Sequence, residues 1–134
     1  MLVSANFFYQ ILIREISHSQ RGNTKLSIVR IQLIDSTFKN NDEYELEIIK
    51  LSKIIKSNSR ASDISARMGR YEFFTLITNG HEQATAFSRR VDSNWKSTES
   101  DINITNTEFD GKESMTQFLR RAHSSNEAGI ITDS

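Results

Sequence analysis

Two stretches of the sequence place an arginine three residues before an aspartate, namely Arg60-Ala-Ser-Asp63 and Arg89-Arg-Val-Asp92. A guanidinium donates hydrogen bonds in a planar fork that suits phosphate, and a carboxylate accepts them from N–H groups. Such a pair suits the recognition of an anion that also carries N–H donors. The alternative is a solvated surface pair, which contributes little to stability. Because the spacing occurs twice, spacing alone does not select between these interpretations.

Other chemistries find little support in the sequence. The three histidines, His18, His81 and His123, are far apart and have no carboxylate or thiol partner at metal-ligand spacing. The sequence contains no Gly-x-Ser-x-Gly nucleophile motif and no Gly-x-x-x-x-Gly-Lys phosphate loop. Trp95 shares a helical period with Phe87 and Val91, which favours a core position over a base-stacking platform.

The composition narrows the function classes further. Basic and acidic residues are balanced at 17 each, so no global field attracts nucleic acid or an anionic membrane. The sequence has no cysteine, no signal peptide and no apolar run of membrane-spanning length. A chain of 134 residues fits one core. We therefore expect a single cytoplasmic domain over residues 1–134, without a nucleic-acid partner.

The elements that position these residues follow from apolar periodicity. Apolar residues recur every four positions between residues 4 and 19, which predicts a helix. A nearly continuous apolar run over residues 26–34, broken by Arg30 and Gln32, predicts a central strand. The next helix begins near Asp42 and carries Tyr44, Ile48, Leu51 and Ile55.

The second half of the sequence predicts a hairpin and two more helices. Two β-rich runs over residues 64–77 flank Gly69-Arg70, which we interpret as a two-residue type II′ loop with Gly69 at the position of positive φ. A third helix, a short strand at Ile102 and Ile104, and a capping box at Ser114 and Gln117 follow. This order favours an α/β sandwich on one sheet. We expect one shared core that contains Ile31, Leu33, Ile48, Leu51, Phe74 and Leu76.

Three collinear segments resemble the GGDEF family. The central one is Arg60-Ala-Ser-Asp-Ile-Ser-Ala-Arg-Met-Gly-Arg-Tyr-Glu-Phe-Phe-Thr-Leu-Ile, in which Gly69-Arg70-Tyr71-Glu72-Phe73 occupies the signature hairpin. Upstream, Leu33-Ile-Asp-Ser-Thr-Phe-Lys-Asn-Asn-Asp resembles the strand-end segment, with a residue or two deleted. Downstream, residues 114–123 resemble the helix that begins the family's Leu-x-x-Ala-Asp signature. The resemblance implies a palm like that of class III nucleotide cyclases, with a central, mostly antiparallel sheet flanked by helices, and a bacterial signalling role.

The resemblance also implies a lost activity. In the family, two domains each present a GTP, and divalent cations held by carboxylates help join them into cyclic di-GMP. Here Tyr71 replaces an acid and is a poor Mg²⁺ ligand, and Arg70 replaces the glycine that lets the backbone approach the nucleotide. The Gly-His loop after Asn41-Asp42 is missing, and Ala122-His123 stands where the family has Ala-Asp. We therefore expect no enzyme activity and no cofactor.

Two acids keep a metal-binding alternative open. The resemblance matches Asp35 to the family's metal-binding aspartate only across a gap, and Glu72 keeps the fourth position of the hairpin motif. These two side chains could still bind Mg²⁺ weakly and support residual cyclase activity. The alternative is that Asp35 ends a strand and Glu72 is a solvated hairpin charge.

One family feature survives. Arg60 and Asp63 have the form and position of the family's inhibitory site for cyclic di-GMP, and Arg90 matches a second arginine of that site. The first hypothesis is therefore an inactive receptor that binds cyclic di-GMP at Arg60, Asp63 and Arg90. The second is a nucleotide-independent domain that dimerises or binds a regulatory protein partner, and the third is a residual diguanylate cyclase.

Overall fold

The computed structural model describes residues 1–22, 24–35, 40–97 and 100–124, which form one sheet with helices on both faces. Along the chain the elements are β1 (Leu2–Val3), α1 (Ala5–Gly22), β2 (Leu26–Asp35), α2 (Asn41–Asn58), β3 (Ile64–Gly69), β4 (Glu72–Thr78), α3 (His81–Asn94), β5 (Ser100–Glu108) and α4 (Met115–Ser124). This order agrees with the predicted one, except that β1 was not predicted. The predicted strand-end segment 33–42 is described only in part, because residues 36–39 lie outside the described residues.

The sheet has the strand order β1-β3-β4-β2-β5. Antiparallel pairing joins β3 to β4, β4 to β2 and β2 to β5, whereas β1 pairs with β3 in parallel. The predicted α/β (α+β) class, with a mostly antiparallel sheet flanked by helices, is confirmed. Strand β5 is nine residues long and pairs with β2 along its whole length, so it is longer than the predicted strand at Ile102 and Ile104.

Apolar side chains form a separate core on each face of the sheet. Helices α2 and α3 cover the face that carries Ile31, Leu33 and Phe73, and the helix side of this core includes Ile48 and Leu51. Helices α1 and α4 cover the face that carries Phe74 and Leu76. The expectation of one shared core was therefore wrong, although all six predicted residues are buried. Successive strand residues point to opposite faces, so Phe73, not Phe74, packs against α2.

Side-chain caps define where α2 and α4 begin. Asn40 directly precedes α2, and its side chain accepts a hydrogen bond from the Glu43 amide at 3.0 Å. The predicted capping box is confirmed, since Ser114 Oγ accepts from the Gln117 amide at 3.1 Å and Gln117 Oε1 accepts from the Ser114 amide at 2.9 Å. These bonds satisfy amides that the first helical turn leaves unpaired.

The β3–β4 hairpin differs from the predicted one by one residue. Gly69 pairs with Glu72 as the last residue of β3, so the two loop residues are Arg70 and Tyr71. The described glycines with positive φ are Gly80 and Gly111, and Gly69 is not among them. The predicted type II′ loop at Gly69-Arg70 is therefore wrong. A register shift between Arg67 and Gly69 takes up the extra residue.

Candidate functional site

The tip of the β3–β4 hairpin is fixed by one arginine of β3. Arg67 donates from Nε to the Gly69 carbonyl at 3.2 Å and from Nη2 to the Arg70 carbonyl at 2.8 Å. Its guanidinium also pairs with both carboxylate oxygens of Glu45 on α2, at 3.3 and 3.1 Å. The hydrogen bond from Arg67 lowers the pKa of Glu45. The side chain thus ties the loop to the first turns of α2.

Arg70 and Tyr71 close the space between this loop and α2. The Tyr71 ring lies against the ring of Tyr44, with centroids 4.2 Å apart. The Arg70 guanidinium lies 5.8 Å from the Tyr44 ring centroid and 5.5 Å from that of Tyr71, within the range of cation–π attraction. Arg70 also donates a hydrogen bond to Asn41 Oδ1. Both substituted motif residues therefore have structural partners of their own.

Glu72 belongs to a polar cluster with Arg30 and His123. Arg30 Nε donates to Glu72 Oε1 at 2.5 Å, and His123 Nδ1 lies 3.5 Å from Glu72 Oε2. Arg30 Nη1 donates to the His123 carbonyl at 3.0 Å, which joins β2 to the end of α4. The side chains of Arg30 and Glu72 are 11% and 13% exposed, so solvent screens the pair only weakly. The Glu72 side chain is therefore not a solvated hairpin charge, which was the alternative considered from the sequence.

The cavity at the hairpin motif is small. It measures about 210 Å³ and is lined by Arg30, Gln32, Gly69, Arg70, Tyr71 and Glu72. Small-molecule pockets usually measure roughly 300–1,000 Å³. The cavity lined by these described residues is therefore smaller than a typical small-molecule pocket.

The described donors at the motif do not fit a divalent cation. Tyr71 offers a neutral phenol, and the Glu72 carboxylate is already paired with a guanidinium. Asp35 ends β2, opposite Ser100 of β5, and its side chain lies outside the described part of the structure. Within the described residues, no three histidine, aspartate or glutamate side chains are grouped to hold a metal ion.

The Arg60-x-x-Asp63 segment forms a tight turn between α2 and β3. Asp63 Oδ2 accepts a hydrogen bond from the Arg60 amide at 2.8 Å, and the Asp63 amide donates to the Arg60 carbonyl at 3.0 Å. The Arg60 side chain is 42% exposed, whereas that of Asp63 is 1% exposed. Arg60 Nη2 lies 3.6 Å from Asp63 Oδ1, which has no hydrogen-bond partner among the described residues. The turn therefore presents Arg60 outward and keeps Asp63 beneath it.

Arg90 reaches the same surface from α3. Its Nη2 donates to the carbonyl of Asn58, the last residue of α2, at 2.8 Å. Asn94, one turn further along α3, contacts Asn58 Oδ1 at 3.4 Å. The predicted residues Arg60, Asp63 and Arg90 are therefore brought together within a few residues of one helix end. The second copy of the spacing, from Arg89 to Asp92, lies within α3 and forms no such turn.

Two charged residues of the hairpin region were missed by sequence reasoning. The sequence shows that Arg30 interrupts an apolar strand. It does not indicate the partner of Arg30, because Glu72 is 42 residues away. Arg67 lies between the apolar residues Ala66 and Met68 in β3, and the sequence contained no signal for its bonds to the loop carbonyls.

A buried acid of α2 was missed as well. Glu47 is 3% exposed, and it accepts hydrogen bonds from Ser97 and, at 2.8 Å, from Ser100. Its position three residues after Tyr44 places it on the inward face of α2, which the helical period alone would have indicated.

The chain resembles known proteins in sequence over part of its length. It matches no protein-family model. The diguanylate cyclase DosC of Escherichia coli (strain K12) is 33% identical over 89 residues, which are 63% of this chain and 19% of DosC. The chain thus spans about a fifth of the length of this curated relative.

The resemblance to solved structures covers almost the whole chain. The diguanylate cyclase SiaD of Pseudomonas aeruginosa, solved with its activator SiaC, has a TM-score of 0.80 at 18% identity and covers 93% of this chain and 54% of SiaD. The GGDEF domain of DgcB from Caulobacter crescentus, solved with c-di-GMP, has a TM-score of 0.74 at 13% identity and covers 95% of this chain and 84% of that one. At these identities the likeness shows the fold.

Proposed function

We propose that this chain, which has the GGDEF-like fold, no longer makes cyclic di-GMP and instead binds it at a surface site formed by Arg60, Asp63 and Arg90. Binding would report the concentration of the signalling nucleotide to a partner. A location in the bacterial cytoplasm is part of this proposal.

Loss of catalysis is supported by the pairing of Glu72. A cation bound there would have to displace the Arg30 guanidinium from a half-buried carboxylate, and Tyr71 supplies no compensating charge. Arg70, placed over two tyrosine rings, also occupies space beside the loop that a nucleotide needs. Residual activity with Mg²⁺ would require Arg30, Tyr71 and Arg70 to move, so we assign no cofactor.

The observation that carries the binding proposal is the convergence of two arginines on one helix end. Arg90 is held by the Asn58 carbonyl, and Arg60 follows two residues later with its guanidinium exposed. Two guanidinium groups on one surface suit the paired phosphates of a cyclic dinucleotide.

Asp63 supplies a second reason to place the ligand here. Its Oδ1 is buried and has no hydrogen-bond partner within the described residues, and the Arg60 guanidinium 3.6 Å away offsets only part of that cost. When Arg60 moves onto a phosphate, it uncovers this oxygen for an N–H of the guanine edge. In the proposed complex, Arg60 would be the group that moves and Asp63 the fixed acceptor.

Calorimetric titration with cyclic di-GMP tests the proposal. Each charged hydrogen bond contributes about 1.5–3 kcal/mol, so Arg60→Ala and Arg90→Ala should each weaken binding by more than about tenfold. Arg89→Ala is the matched control, since Arg89 neighbours Arg90 on α3 but lies outside the site. Arg70→Ala should also leave binding nearly intact. No heat and no change in melting temperature with cyclic di-GMP at about 0.5 mM, some 4.5 kcal/mol of affinity, would exclude the receptor function.

A second candidate is a nucleotide-independent interaction domain. Leu46 and Ile49 on the outer side of α2 are 61% and 48% exposed, and they lie three residues apart on one helix face. Such a patch suits contact with a regulatory partner or a second copy of the chain. Leu46→Ser with Ile49→Ser should disrupt that contact while leaving cyclic di-GMP binding unchanged, and size-exclusion chromatography with light scattering measures self-association.

A further inference from the structure

A groove between α2 and the segment after α3 is separate from both sites described above. Its volume is about 380 Å³, within the range of roughly 300–1,000 Å³ typical of small-molecule pockets. Lys50, Lys53 and Ile54 form the α2 wall, where the spacing of three and four residues puts them on one helix face. Asn94, Trp95 and Lys96 form the opposite wall.

The charge of the groove is positive. Lys50 pairs with Glu47 at 2.8 Å, which leaves the groove with the charges of Lys53 and Lys96. Within residues 1–22, 24–35, 40–97 and 100–124, neither of these two lysines forms an ion pair. Both lysines line the same groove from opposite walls.

The two walls meet at an apolar floor that is formed by their inner residues, Ile54 and Trp95. Ile54 and Trp95 pack against the core beneath α2 and α3. The Trp95 amide donates to the Val91 and Asp92 carbonyls at the end of α3, and its indole Nε1 donates to the Ser100 carbonyl at 3.0 Å. A half-buried indole fixed at both ends offers a preorganised surface to a flat ring.

We propose that this groove binds a small aromatic anion, with its ring on Trp95 and Ile54 and its phosphate or carboxylate between Lys53 and Lys96. The site would be independent of cyclic di-GMP binding at Arg60 and Arg90. The positive walls select against neutral rings, and the apolar floor selects against simple inorganic anions. The domain would thus carry two ligand sites on neighbouring parts of α2 and α3.

Trp95 is the single tryptophan of the chain, so its fluorescence reports directly on the groove. Anilinonaphthalene sulfonate combines a ring system with an anion and quenches tryptophan by energy transfer. Phenylnaphthylamine is the same ring system without the sulfonate, and pyrophosphate supplies charge without a ring. The sulfonate should bind at least about tenfold more tightly than either control, a difference of about 1.4 kcal/mol.

Two sets of variants complete the test. Lys53→Ala with Lys96→Ala should weaken sulfonate binding by about tenfold or more, whereas Lys56→Ala, an exposed lysine of α2 outside the groove, should not. Arg60→Ala should leave sulfonate binding intact even where it abolishes cyclic di-GMP binding, so the two proposals fail separately. Equal affinity of the double variant and the intact chain, equal binding of the neutral ring, or displacement of the sulfonate by cyclic di-GMP would overturn the inference.

Discussion

Arg30 and Glu72 lie on adjacent strands but are not directly paired, since Arg30 is opposite Phe74 and Glu72 is opposite Gln32. Side chains at such diagonal positions on one sheet face are within reach of long residues. The sequence shows both residues, yet their contact depends on a register that only the folded sheet defines. At the residue scale, the environment of Glu72 in the hairpin therefore depends on Arg30, which lies outside the hairpin.

The proposed loss of catalysis predicts that changing two residues of the hairpin to the family's motif yields no cyclase activity. The double change Arg70→Gly and Tyr71→Asp removes the closing side chains and adds one acid, but Glu72 stays paired with Arg30 and the family's other departures remain. We expect no cyclic di-GMP from GTP with Mg²⁺ or Mn²⁺, measured by chromatography of the products. Turnover by the unmodified chain would contradict the inactive assignment, and turnover by the double variant would show that the two residues alone prevent catalysis.

The two glycines at Gly69 and Gly80 should respond differently to alanine. A Cβ at Gly69 would lie 3.5 Å from Glu72 atoms, which is ordinary contact, and the backbone there needs no positive φ. Gly80 has φ +103°, a conformation that costs other residues about 1–3 kcal/mol. Gly69→Ala should therefore change the free energy of unfolding by less than about 1 kcal/mol, whereas Gly80→Ala should lower it by about 1–3 kcal/mol in urea titrations. Equal losses would contradict the observed loop.

At the scale of elements, α2 links the hairpin, the core and the groove. Its inward side is buried over Tyr44, Ile48, Leu51 and Ile55, as the periodicity predicted. Its first turns hold the hairpin tip through Glu45, and its end carries Arg90 on the Asn58 carbonyl. The hairpin tip, the core and the Arg90 contact therefore all depend on α2, although no pattern in the sequence connects them.

Ile48 tests the core assignment of this helix. Ile48 is 3% exposed, and Ile48→Ala removes buried atoms and leaves a cavity, so we expect a loss of about 2–5 kcal/mol. Leu46→Ala, two residues earlier on the exposed side, should change stability by no more than about 0.5 kcal/mol. Chemical denaturation of both variants measures the difference, and similar losses would contradict the orientation of α2.

Glu47 gives α2 a pH-dependent link to β5. Burial opposes its ionisation, but hydrogen bonds from Lys50, Ser97 and Ser100 outweigh that cost and lower the pKa below the ordinary value of 4.5. The ionised form therefore stabilises the fold above pH 4.5, and this contribution is lost as pH falls through the lowered pKa. Glu47→Gln should cost about 1–3 kcal/mol near pH 7 and progressively less below pH 4.5.

Thermal melts of the Glu47→Gln variant and of the intact chain, from pH 7 to pH 3, measure whether their stabilities converge as the pH falls. Glu82→Gln, at an exposed acid in the first turn of α3, serves as the control and should show no comparable change. A gap between the Glu47 variant and the intact chain that stays constant with pH would contradict the ionised state of Glu47.

At the scale of the whole molecule, the sequence predicted the element types and order because each long element carries its own period. It did not predict which face of the sheet Phe74 occupies, since both faces of β4 are apolar and the alternation that fixes a face is hidden. It also missed β1, whose two residues are too short to carry a period. The Arg60, Asp63 and Arg90 grouping came from the resemblance, because the Arg90 contact with Asn58 spans 32 residues.

The single-domain assignment over residues 1–134 stays a prediction. The chain covers 19% of DosC and 54% of SiaD. Among the described residues, no helix has the length and apolar character needed to cross a bilayer.

The central position of β2 also governs the order in which the molecule can be built. This ten-residue strand is paired on one side with β4, down to Leu26 opposite Thr78, and on the other with β5, out to Ser27 opposite Glu108. Both pairings are non-local, and sheets with such high contact order fold slowly because long loops must close first. During synthesis, the β2 edge that pairs with β5 lacks its partner strand until residues 100–108 have been made. That interval is when the nascent chain is most exposed to edge-to-edge association, and when we expect it to depend on chaperones.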